Sequence, residues 1–406
     1  MSRDNNTNFY IFFWRHGLLL WTSLICYIGN LFLDIFVCCS PAISSVLNTV
    51  IVVNNYSEVL KLIIPVTIIC SNVYMGCQSM EWYLKKPFSS SSSTSSLART
   101  YLLRVVFYPI APILRYFDTW WCSYKTAAAA AAAELDDEDD VFIDYLFQSA
   151  EVSILRLINV FTGDGIIIIF EIFFIFKLRA LEEQQDTMMI LLISITMIVI
   201  VVTKLALSMS LSLVHYITCE KMLTRASPLT IKAQCTLFCW HFFCLMSQVT
   251  AYGLFLANNN NNNINKLVFI MFRWIIHFLW IYFCENNDKK LTPFIFASVN
   301  MFTYVTIFDG KRVGPISFYY LISLLHNVGI VVSSFFIDKD TVSGVIIIFG
   351  GFLLGISFMM SYYCVDHPNA QNVWGWRRLR HHHHHHHHQI INTTTTTTTN
   401  TNTSTV

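Results

Sequence analysis

"MMILLISITMIVIVVTKLALSMSLSLV", Met188–Val214, carries a single charged residue, Lys204. About 20 apolar residues in a helix cross the roughly 30 Å hydrocarbon core of a bilayer, and this run is longer than that. At 100° per residue Lys204, Ser208 and Ser212 share one face, and His215 just beyond the run joins them. A lysine at the bilayer centre is costly, so such a side chain faces a bundle interior or a wet cavity rather than lipid. The stretch reads as a membrane helix with one inward polar stripe.

The same kind of run recurs along the chain, at Leu18–Cys39, Val59–Met80, Lys232–Ala257, Ile264–Cys284, Pro315–Ile337 and Val342–Cys364. The composition agrees: 54% of the 406 residues are hydrophobic and only 13% charged, against about 25% charged in soluble domains. Mean hydropathy is +0.51. The fold class is therefore all-α, a polytopic transmembrane helix bundle, with about eight spanning helices and two re-entrant or half helices among about ten apolar segments. A net charge of +1 excludes a strongly basic nucleic-acid binder. The first apolar run is too long for a cleavable signal peptide and has no small-residue cleavage pattern after it, so it reads as the first span.

Residues 1–17 read as a cytoplasmic N-terminus, 18–372 as the membrane domain, and 373–406 as a disordered His- and Thr-rich cytoplasmic tail. Within the domain, 85–100 is a basic, Ser-rich loop and 122–140 an Ala-rich and acidic one. Leu97–Trp121 is broken by Pro109 and Pro112 and reads as bent or re-entrant. Gly165–Leu178 is short for a span and reads as a half-helix. The loop 40–57 has no lysine or arginine, whereas the next loop has Lys85 and Lys86 and the tail has Arg377, Arg378 and Arg380. The positive-inside rule then places both termini in the cytoplasm. Asn55-Tyr56-Ser57, in the outer loop, is a glycosylation sequon. Asp136–Asp139 has the Asp-x-x-Asp form cut by caspases, with Asp139 as the cleavage position; as acids ahead of a helix they also suit its positive end.

Twelve cysteines fall mostly inside apolar runs, where thiols act as small hydrophobes. Cys235, Cys239 and His241 lack an accompanying Cys-x-x-Cys pair, so no metal site is read there. More informative are the polar residues. Asp144, Gln148, Glu151 and Asn159 lie within about 80° on one helix, with Arg156 well off that stripe. Asn30 and Asp34 are one turn apart in the first span, and Gln248 and His326 interrupt later runs. Single Ser, Asn or Gln residues commonly serve interhelical hydrogen bonds. Ionisable residues repeated over several helices point instead to a polar pathway.

Several stretches resemble the XK-related family of membrane proteins. "NLFLD" (Asn30–Asp34) is similar to its Asp-x-x-x-Asp element, and "CQSMEWY" (Cys77–Tyr83) to the region that closes its second span. "APILRY" (Ala111–Tyr116) and "DYLFQSAEVSILRLI" (Asp144–Ile158) resemble its Leu-x-Arg-Tyr element and its most recognisable segment. "GPISFYYLISLLHN" (Gly314–Asn327) and "YYCVDHP" (Tyr362–Pro368) resemble its last spans. Several positions depart from the family pattern: Asn30 replaces an Asp, Gln148 a Glu, Gln248 an Arg and His326 a Glu. The joint loss of charge at 148 and 248 is what removal of an ion pair would leave, which places those two positions side by side.

The resemblance implies a phospholipid scramblase, a plasma-membrane protein that lets lipids equilibrate between leaflets and exposes phosphatidylserine, in apoptosis after caspase cleavage. Lipid moves down its gradient, so no catalytic chemistry and no cofactor is implied; nothing resembles a phosphate-cradling Gly-rich loop. The candidate lipid-path residues are Asn30, Asp34, Asp144, Gln148, Glu151, Lys204, Gln248 and His326. The implied partners are membrane phospholipids. A second reading is a non-enzymatic scaffold for a single-span membrane glycoprotein or a lipid-transfer protein. A third is a secondary transporter for a small polar solute.

Overall fold

The computed structural model describes residues 24–25, 28–29, 66–67, 69–79, 111–132, 138–182, 188–225, 229–258, 263–284, 292–305, 313–335 and 342–366. Asn30, Asp34 and Asn55 lie outside them. Among the described residues there is no strand: the chain is an all-α polytopic bundle.

Helix α1, Ala111–Ala132, has Pro112 in its first turn, where a missing N–H costs nothing. It continues through the alanines 127–132, because alanine is the strongest helix former. Helix α2, Glu138–Asn159, opens on three acids that suit its positive end. The stretch 122–140, expected to be a loop, is thus helical up to Ala132 and again from Glu138.

A second correction follows directly. Helix α2 runs through a π-helical turn, Val160–Asp164, into α3, Gly165–Glu182. Gly165–Leu178 is the second half of one long apolar stretch, Tyr145–Arg179, and not a separate half-helix. Gly163 and Gly165 both take helical geometry where neighbours press close: a Cβ on Gly163 would lie 2.9 Å from Ser71 Oγ. Helix α4, Met188–Thr203, likewise passes through a π-helical turn, Lys204–Ser210, into α5, Leu211–Arg225.

Helix α6, Ile231–Ala257, is capped by Thr230, whose hydroxyl accepts from Ala233 N at 3.2 Å. It is followed by α7 (Asn263–Cys284), α8 (Thr292–Asn300), α9 (Val313–Phe335) and α10 (Val342–Ser361). Five stretches among the described residues are long and apolar enough to cross a membrane: Tyr145–Arg179, Leu191–Met222, Ile231–Ala257, Gly314–Ser333 and Val342–Val365. Large apolar side chains are exposed along them, as with Leu192 and Val199 on α4 and Leu353 on α10. A protein solvated by lipid is expected to be built this way, with polar groups turned inward.

Helix α6 is the hub; it touches α3, α5, α7, α9 and α10. Its tightest contact is with α10. A Cβ added at Gly355 would meet Cys244 Sγ at 2.5 Å and Cys244 N at 3.1 Å, and one at Gly351 would meet Phe243 O at 3.0 Å. Small residues at such positions let membrane helices approach closely. Helix α8 has nine residues, too few to cross, yet 295–305 are buried throughout. The irregular backbone after it is fully engaged: Asn300 Oδ1 accepts from Val305 N at 3.0 Å, and Tyr252 donates to Met301 O at 3.2 Å. Non-helical backbone at membrane depth survives only when protein covers it.

Candidate functional site

The stripe on α4–α5 packs against α2–α3, and its polar residues meet polar partners there. Lys204 Nζ donates to Glu171 Oε1 at 2.6 Å. Ser208 donates to Asp164 Oδ2 at 2.8 Å. Arg156 donates to Ser212 Oγ and to Leu207 O. Further along, Ser149 Oγ and Cys219 Sγ are 3.4 Å apart. Numbers rise on one partner as they fall on the other, so the two long helices run antiparallel with polar rungs between them. From Ser149 to Glu171 the rungs span about 33 Å at 1.5 Å per residue, close to the thickness of the hydrocarbon core. All of these side chains are buried; the Lys204 and Glu171 side chains are 0% and 2% exposed.

The two π-helical turns, Val160–Asp164 and Lys204–Ser210, face each other inside this seam. A π turn holds one residue more than an α turn and disturbs the regular hydrogen-bond ladder. In Lys204–Ser210 side chains supply donors to the turn's carbonyls: Ser210 donates to Leu205 O at 2.9 Å and Arg156 to Leu207 O at 3.1 Å. Thr162, in the other turn, donates back to Ile158 O at 2.6 Å.

A second polar cluster joins α6, α7 and α9. Arg273 donates to Gln248 Oε1 at 2.7 Å and to Ser323 Oγ at 2.9 Å, and its guanidinium lies 5.8 Å from the Tyr252 ring centre. Among the described residues it meets no carboxylate. His326 stacks on Phe269 with centroids 4.7 Å apart and stands edge-on to Tyr252. Asn327 reaches Ser247 at 3.4 Å, and Ser247 donates to Ile348 O at 2.7 Å.

The candidate path residues are thus divided. Lys204 is in the seam; Gln248 and His326 belong to the Arg273 cluster. Glu151 forms an ion pair with Arg115 of α1, and Gln148 sits half-buried on α2. Asp139 and Asp144 lie in the first two turns of α2. Gln248 directs its side chain to Arg273 instead of Gln148, so the inferred 148–248 contact has no hydrogen bond behind it. Arg273 brings its guanidinium to Gln248 from the next helix.

Asp164, Glu171 and Arg273 are not among the residues singled out from the sequence, and Arg156 stands there only as a residue off the stripe. Their signal was simple: each is an ionisable residue inside an apolar run, where charge is rare and purposeful. His241, read as part of a cysteine-flanked group, points inward to Thr303 at 2.9 Å, while Cys235 is exposed. Among the described residues no group of three or more His, Cys, Asp or Glu could hold a metal. The family model described as XK-related protein matches residues 18–368.

Proposed function

Since the chain belongs to the XK-related family, we propose that it is an ATP-independent phospholipid scramblase of the plasma membrane, with both termini in the cytoplasm. In this reading it exposes phosphatidylserine at the cell surface, in apoptosis. The observation that carries the reading is the polar ladder between α2–α3 and α4–α5. Four ionisable residues, Arg156, Asp164, Glu171 and Lys204, line a seam about as long as the bilayer core is thick. Each costs about 3 kcal/mol at a helix centre, and a well-packed apolar seam would hold two helices together at least as well. A headgroup crossing hydrocarbon needs a succession of such polar partners, while its acyl chains stay in lipid.

The test is reconstitution of the full chain into liposomes that carry a fluorescent lipid in both leaflets, followed by a membrane-impermeant quencher. A scramblase exposes the inner-leaflet label to the quencher, and the Lys204→Met/Glu171→Leu variant loses that exposure while staying folded. Quenching confined to the outer leaflet in the wild-type chain defeats the proposal.

One observation favours the second reading, a non-catalytic scaffold for a single-span glycoprotein or a lipid-transfer protein. The rungs are sealed, with Arg156, Asp164, Glu171 and Lys204 at 3% exposure or less. A sealed seam fixes two helices as a unit and needs no lipid passage. In that case the liposome assay is silent, and the double variant retains partner binding.

A further inference from the structure

Helix α6 is longer than the membrane is thick. Its 27 residues make about 40 Å of helix, roughly 10 Å more than the hydrocarbon core. Centred on that core, it reaches about 5 Å beyond each side, which puts Cys235, about 6 Å along from Ile231, at the boundary and Cys239 one turn deeper. Cys235 is exposed and Cys239 half-buried. From Thr236 to Ala257 no residue of α6 is exposed. Cys235 is therefore the last position at which this central helix is open to its surroundings.

A third thiol reaches the same level from α10. The two helices run antiparallel, with Phe243 stacked on Phe358 at 5.7 Å and Trp240 against Tyr363 at 5.9 Å. Cys239 and Cys364 are the chain neighbours of that second pair, each one residue nearer the end of the bundle from which the tail leaves. Cys364 lies in the π-helical turn Tyr362–Asp366 that ends α10, and it is exposed. Exposure alone does not mark this group. Cys70 is exposed as well, but it stands in the middle of the apolar run Val59–Met80. Positions 235, 239 and 364 combine an accessible thiol with the level at which hydrocarbon ends. Inward from them the face of α6 is apolar: Phe242 and Met246 lie within about 60° of Cys235 and Cys239, and both are half-buried. A chain tethered at either thiol would run along these side chains into lipid.

We propose that Cys235, Cys239 and Cys364 are sites of reversible S-acylation by a long-chain fatty acid. Cysteines beside a membrane span are where this modification occurs. The thiol sulfur attacks the carbonyl carbon of an acyl-coenzyme A thioester. The new sulfur–acyl bond forms as the bond to coenzyme A breaks, and coenzyme A leaves with the thiol's proton. Acyl-coenzyme A is a cytoplasmic reagent, so the proposal rests on the cytoplasmic placement of the tail given above, and not on movement of lipid between leaflets. Arg225 and Lys232, on either side of the entry to α6, agree with that placement.

Expression of the full chain in animal cells tests it, followed by thiol blocking, cleavage of thioesters with hydroxylamine, and coupling of a maleimide polyethylene glycol that adds one mass step per acylated cysteine. Three hydroxylamine-dependent steps are expected. Cys235→Ser, Cys239→Ser and Cys364→Ser each remove one, and Cys70→Ser removes none. An antibody to the histidine run His381–His388 reads the side of the tail independently. Binding to intact cells would overturn the topology and this proposal with it. Binding only after permeabilisation, with no hydroxylamine-dependent step in the wild-type chain, would overturn the acylation alone. An unchanged step pattern in the triple serine variant, eluting as folded protein, would overturn the assignment to these three cysteines.

Discussion

Replacing Lys204 by methionine leaves Glu171 in a seam where its side chain is 2% exposed. The lost contact, 2.6 Å between Nζ and Oε1, corresponds to about 6 kcal/mol of Coulomb attraction at an effective dielectric near 20. Most of that attraction only offsets the desolvation of the two ions. What a single substitution exposes is the cost of the charge left behind, about 3–5 kcal/mol for a buried pair. Lys204→Met and Glu171→Leu should each lose roughly that much. Lys204→Met/Glu171→Leu removes both charges and fills the space, and should sit within about 1.5 kcal/mol of the wild type. The coupling between the positions is then about 4.5 kcal/mol or more, above the roughly 0.5–3 kcal/mol that contacting pairs usually give. SDS titration of the full chain in mixed micelles reads this directly, because the ten tryptophans report unfolding. Additive losses, with the double variant as damaged as the two singles together, would refute the claim that the pair acts as one unit.

Gly355→Leu should prevent α10 from seating on α6, because its Cβ alone would meet Cys244 backbone at 3.1 Å; Gly350→Leu, with nothing within 4 Å, should be neutral, and size-exclusion profiles distinguish them. Arg273→Lys keeps the charge but cannot donate at once to Gln248 and Ser323, and should cost about 1–3 kcal/mol in the same SDS titration. Deleting Ala206 shortens the π turn 204–210 to α geometry and should leave the helices on either side in register, with Arg156–Ser212 kept and Ser208–Asp164 lost. The equivalent deletion of Val249 in α6 turns one half of that helix by about 100° and should abolish folding; equal expression of the two deletions would contradict the role given to the π turn.

The bundle was legible because lipid solvation writes itself into composition. Long runs such as Ile231–Ala257 and Val342–Val365 appear in the structure close to where hydropathy alone places them. The face Lys204, Ser208, Ser212 was legible for the same reason: three polar residues at four-residue spacing in an otherwise apolar run. Its partners carry the same signal: at 100° per residue Ser149, Arg156, Asp164 and Glu171 fall within about 80° of one another, on a different face from Asp144, Gln148, Glu151 and Asn159. Reading Gly165–Leu178 as a separate half-helix cuts that face in two, since glycine ordinarily weakens a helix; here glycine is required by Ser71 and Phe302 pressing on the backbone.

The same two wide turns bear on how a sealed seam could conduct. Opening it for a headgroup means parting α2–α3 from α4–α5, which separates Lys204 from Glu171 and Ser208 from Asp164. In hydrocarbon that separation would strand three charges, Lys204, Glu171 and Asp164; against a phosphate and an ammonium it exchanges one set of partners for another. Ionic rungs are thus suited to a seam that opens only when a zwitterion is present to replace each contact it breaks. An apolar seam of equal strength would offer the headgroup nothing and stay shut. On the proposed function, then, the charge-free double variant at 204 and 171 is stable for the same reason that it is inactive.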